Sequence, residues 1–413
     1  MKSFRVRDNC RLCFSNNLTN RLSLPDTPLA NEFVTFEQTA IPQDTFPLYL
    51  LTCDVCSHVQ LPIVVDPSRL FSNYVYVSGT ALSFVQHLQK LAADCIIRFQ
   101  LGAGDFVVEI GSNDGTALLP FKQAGIRVLG IDPAIEIGRL ATQKGVPTLP
   151  EFFDQGVAAK VVEQFGKAKL VIANNVFAHS DDLHSIVEGI VHLLHPKVGR
   201  FVFEVQYVLD MLQNSYFDMI YHEHLSYHSV KPLVGFLRKF GLYIQTLERI
   251  DTHGGSIRVT CGFEAREATN LSAMIGDEEA FFLDGKPFTK LLKQIDSARL
   301  DVEKLVANTQ KKIWGFGAPA KLTTLCYSLN LASVQLEAII DDNPLKQGLF
   351  SPGLHVPIVS SNEFAKRAHH NGEDIIIFAW NFADSIASRF HGEPHRLYTP
   401  LPKLKKITKN EPN

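Results

Sequence analysis

Apolar positions in roughly the first seventy residues follow no helical period. They come in short strand-like runs such as T-F-P-L-Y-L-L-T-C and S-H-V-Q-L, set among turn-forming residues. The pattern changes near residue 80, where S-F-V-Q-H-L-Q-K-L-A-A-D-C-I-I has apolar residues at helical spacing and leads into the apolar run D-F-V-V-E-I. I-R-V-L-G-I-D, A-K-L-V-I-A-N-N and G-R-F-V-F-E-V follow, separated by segments long enough for crossover helices. That alternation predicts a mostly parallel sheet with helices on both faces. The charged, periodic stretch from about 276 to 310 reads as a helical connector. Beyond it, K-K-I-W-G-F-G, L-E-A-I-I-D-D-N and D-I-I-I-F-A-W predict the strands of a second, compact Rossmann-like unit, with a helix through A-K-L-T-T-L-C-Y-S-L. The expected fold is α/β, with a turn-rich head over residues 1–70, a core over 71–300 and a tail over 301–413.

A chain of 413 residues is too long for a single hydrophobic core, in keeping with that division. Its formal charge of -3, from 40 basic and 43 acidic side chains, provides no positive field for steering a polyanion, so nucleic acid is not an expected partner. No apolar run reaches the length of a membrane span, and M-K-S-F-R-V-R-D-N-C lacks the apolar stretch of a signal peptide. A soluble, cytoplasmic monomer without a membrane partner is expected.

Four of the seven cysteines form two C-x-x-C pairs, Cys10 with Cys13 and Cys53 with Cys56. Such pairs supply four thiolates to one tetrahedral zinc, and a head without an obvious core needs a staple of that kind. A redox pair is the rival reading, but no thioredoxin-like unit flanks either pair. Four cysteine ligands close the coordination shell, so the expected zinc is structural.

The segment V-V-E-I-G-S-N-D-G, ending at Gly115, places a Gly-rich turn directly after a buried strand, where the backbone can approach a ligand. Asp132 ends the next strand, in position for its carboxylate to accept hydrogen bonds from ribose hydroxyls. Followed by G-I-D-P, the turn resembles an S-adenosylmethionine fingerprint. The end of the third strand, I-A-N-N-V-F-A-H, adds polar groups at the same mouth.

Imidazoles, a carboxylate and phenols gather in F-D-M-I-Y-H-E-H-L-S-Y-H, residues 217–228. Ser226 stands four after His222, so this is no H-E-x-x-H metal motif. If the run is helical, Tyr221 and His224 share a face at i, i+3 and can converge on one substrate. The structural alternative is a histidine held by local hydrogen bonds. In the tail, Gly315, Gly317 and Ala320 follow a strand in the G-x-G-x-x-A pattern, where helix amides and Lys321 could hold a phosphate. The strand end I-I-D-D-N-P-L-K, with Asn343 and Lys346, would face the same crevice. On these residues alone a dinucleotide site is equally open.

Taken in order across nearly the whole chain, these motifs, with H-G-G-S-I-R-V and the D-D-N-P-L-K-Q-G-L-F-S-P-G run, resemble the three-domain sugar C-methyltransferases. That family includes the nucleotide-linked deoxysugar 3-C-methyltransferases. The resemblance implies a zinc-binding head, a Rossmann-like core that binds S-adenosylmethionine and a Rossmann-like tail that binds the nucleotide of an activated sugar. It implies His224 as the base, with Tyr221 and Glu223 close by and His179 at the cofactor mouth. Tyr74 and Tyr76 lie in the segment that closes over the ligands, while Gly111, Ser112, Asn113, Asp132, Pro133, Asn174 and Asn175 line the cofactor site. His253, Gly254, Gly315, Gly317, Lys321, Asn343 and Lys346 fall to the nucleotide-linked sugar. The implied reaction is methylation at C-3 of a 4-keto-deoxysugar through an enolate. An NAD-dependent nucleotide-sugar oxidoreductase using the G-F-G-A-P-A turn and a noncatalytic zinc-headed scaffold are the competing classes.

Overall fold

The computed structural model describes residues 3–72, 74, 76–283, 285–309, 311–332, 335–368 and 372–407. The chain divides into two compact units, each assembled from three stretches of sequence. The first takes Met1–Thr19, Leu51–Leu209 and Leu225–Leu283; the second takes Asn20–Leu50, Asp210–His224 and Asp284–Asn413.

A seven-stranded sheet organises the first unit. Its strands are β1 (Phe106–Ile110), β2 (Arg127–Ile131), β3 (Thr148–Leu149), β4 (Leu170–Asn174), β5 (Arg200–Gln206), β6 (Tyr243–Ile250) and β7 (Ser256–Gly262), in the spatial order β6-β7-β5-β4-β1-β2-β3. Neighbours among β1 to β5 are parallel; β7 runs antiparallel to β5, and β6 antiparallel to β7. The order reverses between β1 and β4, so the carboxyl ends of those strands border the crevice where open α/β sheets take ligands.

A strand covered on both faces needs successive rather than alternating apolar side chains. In β1, Phe106, Val108 and Ile110 pack on one face with Val157 and Val161 of α2 (Gln155–Phe165) and Ile186 and Ile190 of α3 (Leu183–Leu193). Val107 joins Leu88, Leu91 and Cys95 of α1 (Leu82–Arg98) on the other. Asp154 and Asp182 start α2 and α3 by accepting from Val157 N–H and Ser185 N–H at 2.7 and 3.0 Å. The flanks of the head belong to this unit too. Phe4–Val6 pairs with Ile63–Val65, and Val59–Gln60 pairs with both Leu51–Thr52 and Ser226–Tyr227.

The second unit has a six-stranded sheet made of β8 (Ile313–Phe316), β9 (Leu336–Ile340), β10 (Ile358–Val359), β11 (Asp374–Ile377), β12 (Arg396–Thr399) and β13 (Lys405–Lys406). Their order is β10-β9-β8-β11-β12-β13, parallel except for β13, with the reversal between β8 and β11. The connector expected over 276–310 is helical but divided. One helix, Leu271–Phe282, belongs to the first unit, and α4 (Lys286–Asn308) belongs to the second. Phe288, Leu291, Ile295, Ala298 and Val302 form the buried stripe of α4, at the period of an amphipathic helix. No helix among the described residues is long and apolar enough to cross a membrane.

Candidate functional site

The two C-x-x-C turns are built alike. Phe14 N–H and Ser57 N–H donate to the carbonyls of Cys10 and Cys53 at 2.9 and 2.8 Å, and both residues take left-handed backbone angles, φ 64° and 68°. Ligand atoms of all four cysteines lie within 4.8 Å of one another, with Cys10 to Cys56 and Cys13 to Cys53 each at 3.5 Å. Sulfurs at about 2.3 Å from a tetrahedral zinc stand about 3.8 Å apart, so the cage fits that ion.

Gly111 follows β1 with φ 67°, and a Cβ there would lie 2.2 Å from Val176 Cγ2, so both conformation and space demand glycine. The turn is fastened to β2 by Asp132. Its Oδ2 accepts from Asn113 N–H at 2.8 Å and its Oδ1 from Ala134 N–H, on the far side of Pro133, at 2.9 Å. Each oxygen keeps a further lone pair for a ligand hydroxyl. The Asn113 side chain holds the segment of Tyr74 and Tyr76: it donates to Tyr76 O at 3.0 Å and accepts from Ser78 N–H at 2.8 Å. Tyr74 and Tyr76 meet edge to face with centroids 6.3 Å apart. Asn175, at φ 55°, donates its N–H to Glu204 O at 2.8 Å, at the carboxyl end of β4.

Sequence reading missed Glu109, although it stands inside the Gly-rich motif. It is buried in β1, accepting from Asn174 Nδ2 at 3.3 Å, and its other oxygen, Asn174 Oδ1 and Ser112 Oγ are buried without a protein hydrogen-bond partner. Burial pushes the Glu109 carboxyl well above the ordinary glutamate value; Asn174 opposes this, and Asp132 and Asp114 add to it. Unmatched buried polar atoms clustered at a sheet's switch point are what a polar ligand would satisfy. The signal in the sequence was a carboxylate in an otherwise apolar buried run.

In the second unit the run through Tyr221 and His224 is a turn rather than the helix considered above. His224 N–H donates to Tyr221 O at 2.9 Å, and the two side chains still meet, with Tyr221 Oη 2.8 Å from His224 Nε2. His224 Nδ1 lies 2.9 Å from Met219 O. A carbonyl only accepts, so Nδ1 carries the proton, and Nε2 presents its lone pair to the Tyr221 hydroxyl. Thr324 Oγ1 donates to Ile220 O at 2.6 Å and steadies the same turn. Glu223 is buried, accepts from Asn31 Nδ2 at 2.7 Å and feels the charge of Lys346.

The neighbouring histidines differ. His222 Nε2 donates to Pro47 O at 3.1 Å, and burial lowers its pKa to about 4 against that backbone bond. His179 packs edge-on to Phe71 at 5.5 Å and is likewise lowered to about 4, chiefly by burial. His228, also lowered to about 4 by burial, bonds to Phe177 O at 3.2 Å. Because the fully buried His222 and His228 titrate below the ordinary 6.5, the unfolded chain binds more protons between about 4 and 6.5. Their contribution to stability is present above that window and is lost as pH falls through it. Urea midpoints measured across that window should drop on acidification; a midpoint flat across it would contradict the burial assignment.

His253, at φ 54°, and Gly254, at φ 85°, make the turn between β6 and β7. In the tail, Gly317 has φ 85°, and a Cβ on Gly315 or Gly317 would meet Phe378 or Ala379 at 2.5 Å. Both glycines therefore serve the close packing of β8 against the segment after β11. Asp341 accepts from Ala318 N–H at 2.6 Å and from Asn343 N–H at 2.8 Å, while Lys346 Nζ donates to Ala318 O at 2.8 Å. Lys321 Nζ donates to Asn381 Oδ1 at 2.8 Å and sits 3.6 Å above the Trp380 ring, whose Nε1 donates to Asp218 at 2.6 Å. Burial lowers Lys321 to about 8, with Asp218 pulling the other way.

Family models match in three consecutive regions: a zinc-binding domain over residues 10–71, a methyltransferase domain over 84–247 and a C-methyltransferase C-terminal domain over 251–402. The chain is 33% identical over 416 residues to C-methyltransferase NovU of Streptomyces niveus, covering 98% of each chain. Solved structures with partial likeness include magnesium protoporphyrin IX methyltransferase from Synechocystis PCC 6803, 17% identical with a TM-score of 0.32 over 43% of this chain and 78% of that one. The PH0226 protein of Pyrococcus horikoshii OT3 is 13% identical, with a TM-score of 0.36 over 48% and 97%. Those scores are too low to bear on function. The full-length relative and the three matched regions settle the family: the chain belongs to the sugar C-methyltransferases and is an S-adenosylmethionine-dependent C-methyltransferase with a zinc-binding head.

Proposed function

We propose that the enzyme methylates C-3 of a nucleotide-linked 4-keto-deoxysugar in the cytoplasm, with His224 Nε2 as the base. The observation that carries this reading is the Tyr221–His224 pair, in which Met219 O fixes the imidazole tautomer and leaves Nε2 basic. A carbon beside a ketone loses a proton because the resulting enolate spreads its charge onto oxygen. Nε2 takes that proton, and the Tyr221 hydroxyl, released from Nε2, donates to the enolate oxygen as negative charge develops there. Ketone oxygen and acidic carbon are near neighbours in the sugar, which suits a phenol and an imidazole 2.8 Å apart. Glu223, oriented by Asn31 and within electrostatic reach of Lys346, is suited to a sugar hydroxyl.

The S-adenosylmethionine site is assigned to the turn from Gly111 to Asn113 with Asp132, Asn174 and Asn175, where the cofactor supplies an electrophilic methyl group. The nucleotide is assigned to the tail, where Lys321 and Lys346 are buried ammonium groups near the Gly-rich turn. Incubation with S-adenosylmethionine and a panel of nucleotide-linked 4-keto-deoxysugars should give a one-methyl gain by mass spectrometry. No gain across the panel, with cofactor bound, would sink the substrate class. Asp132→Ala should weaken S-adenosylmethionine about ten- to hundred-fold in calorimetry, the effect of losing one or two charge-assisted hydrogen bonds. Unchanged affinity in a folded variant removes Asp132 from the site.

A further inference from the structure

Arg11 lies between the cysteines of the first C-x-x-C turn and is 0% exposed, an unusual place for a long charged side chain. Its N–H donates to Gln60 Oε1 at 2.9 Å, which fixes the backbone of the turn. Its guanidinium reaches three places. Nε donates to Asp181 Oδ1 at 3.0 Å, and Nη1 donates to Leu61 O at 2.7 Å and Leu225 O at 3.0 Å. Asp181 is two residues beyond His179, and Leu225 is the residue after His224.

Both ends of this connection are held elsewhere as well. Arg7 Nη1 donates to Asp181 O at 2.8 Å, and Arg5 pairs with the Asp181 carboxylate. Burial alone would raise the Asp181 carboxyl, but Arg11, Arg7 and Arg5 outweigh it and keep the group below its ordinary value and ionised. Ala178 O accepts from Leu225 N–H at 2.8 Å and Ser226 N–H at 3.1 Å, while Leu61 N–H donates to Leu225 O at 3.0 Å. The chain leaving His224 is thus fixed at its first two peptides, the first by Ala178 O, the residue before His179, and the second by Ala178 O, Leu61 N–H and Arg11. A buried ion pair adds little stability over apolar packing, whereas a rigid planar fork bonded to one carboxylate and two carbonyls sets directions that a lysine cannot reproduce.

We propose that Arg11 is a positioning residue for methyl transfer, fastening the zinc-binding turn to the His179 segment and to the start of the chain that leaves His224. This rests on the reading of His179 and His224 as site residues. Arg11→Lys and Arg11→Met, each in the full chain, test it through zinc content, S-adenosylmethionine affinity, and kcat and KM on the 4-keto sugar nucleotide that the unaltered enzyme methylates. Misplacing a reacting group by about an ångström costs on the order of a hundredfold, so kcat should fall at least about tenfold in Arg11→Lys. Zinc content, cofactor affinity and KM should stay near those of the unaltered enzyme. An unchanged kcat, or zinc and cofactor binding lost together with activity, overturns the proposal. Arg11→Lys decides if Arg11→Met does not fold, and failure of both to fold makes Arg11 a folding residue and also overturns it. A fully active His224→Asn would instead remove the reading beneath; an inactive His224→Asn beside a fully active Arg11→Lys removes this proposal alone.

Discussion

His224→Asn should abolish methyl transfer while leaving zinc content and S-adenosylmethionine binding unchanged. A positioned general base contributes about a hundred- to ten-thousand-fold, and asparagine cannot accept a proton at neutral pH. The substitution is conservative in shape: the amide nitrogen can still donate to Met219 O, the bond His224 makes at 2.9 Å, so the turn has reason to persist. A sharper readout separates deprotonation from methyl transfer. In deuterated water without the methyl donor, the unaltered enzyme should exchange the substrate proton beside the ketone, and the variant should not. His222 provides the contrast. Burial leaves it about 4 and its Nε2 is committed to Pro47 O, so it is a weak base with no lone pair on offer at that nitrogen. Near-normal transfer by His224→Asn would move the assignment to Tyr221 or His179.

What was legible in the sequence was what depends on neighbours along the chain. β1, β2, β4 and β5 announced themselves because strands covered on both faces must be continuously apolar and because each ends in, or is followed directly by, a polar or glycine residue at the ligand edge. Cysteine spacing gave the metal cage for a similar reason: each turn brings its own pair of thiols together. The spacing of Tyr221 and His224 was informative without specifying conformation, since residues three apart meet in a tight turn as well as on a helix. Less legible was the membership of Asn20–Leu50 and Asp210–His224 in the tail's unit. Their ties are to residues remote in sequence, such as Asn31 to Glu223, Trp380 to Asp218, Thr324 to Ile220 and Gly353 N–H to Gln43 Oε1. Hydrophobic period cannot report such bonds, because loop segments satisfy their polar groups wherever the fold brings a partner.

Cys53→Ser should weaken zinc binding and destabilise the head. The strand pairings beside the cage are short, Phe4–Val6 with Ile63–Val65 and Leu51–Thr52 with Val59–Gln60, so beyond the bonds of Arg11 and Gln60 the metal should supply much of its support. Cys10, Leu12 and Cys53 are nevertheless buried in the same apolar cluster as β1 and α2, so loss of the cage should open an edge of the first unit's core. Structural zinc sites contribute an apparent ~10–16 kcal/mol of binding free energy in small finger peptides, and binding that forms a site is also folding free energy. Here the surrounding sheet retains part of the structure without metal, so the expected loss is a fraction of that range, read as a lower urea midpoint and new proteolytic cleavage near the two cysteine turns. Three remaining thiolates can still hold zinc weakly, and so the unaltered protein treated with a strong chelator is the companion measurement. Elemental analysis should find about one zinc per chain before chelation, the stoichiometry of a single tetrahedral four-thiolate site. If the metal can be removed by either route with the midpoint and the cleavage pattern unchanged, the cage is not what stabilises the head.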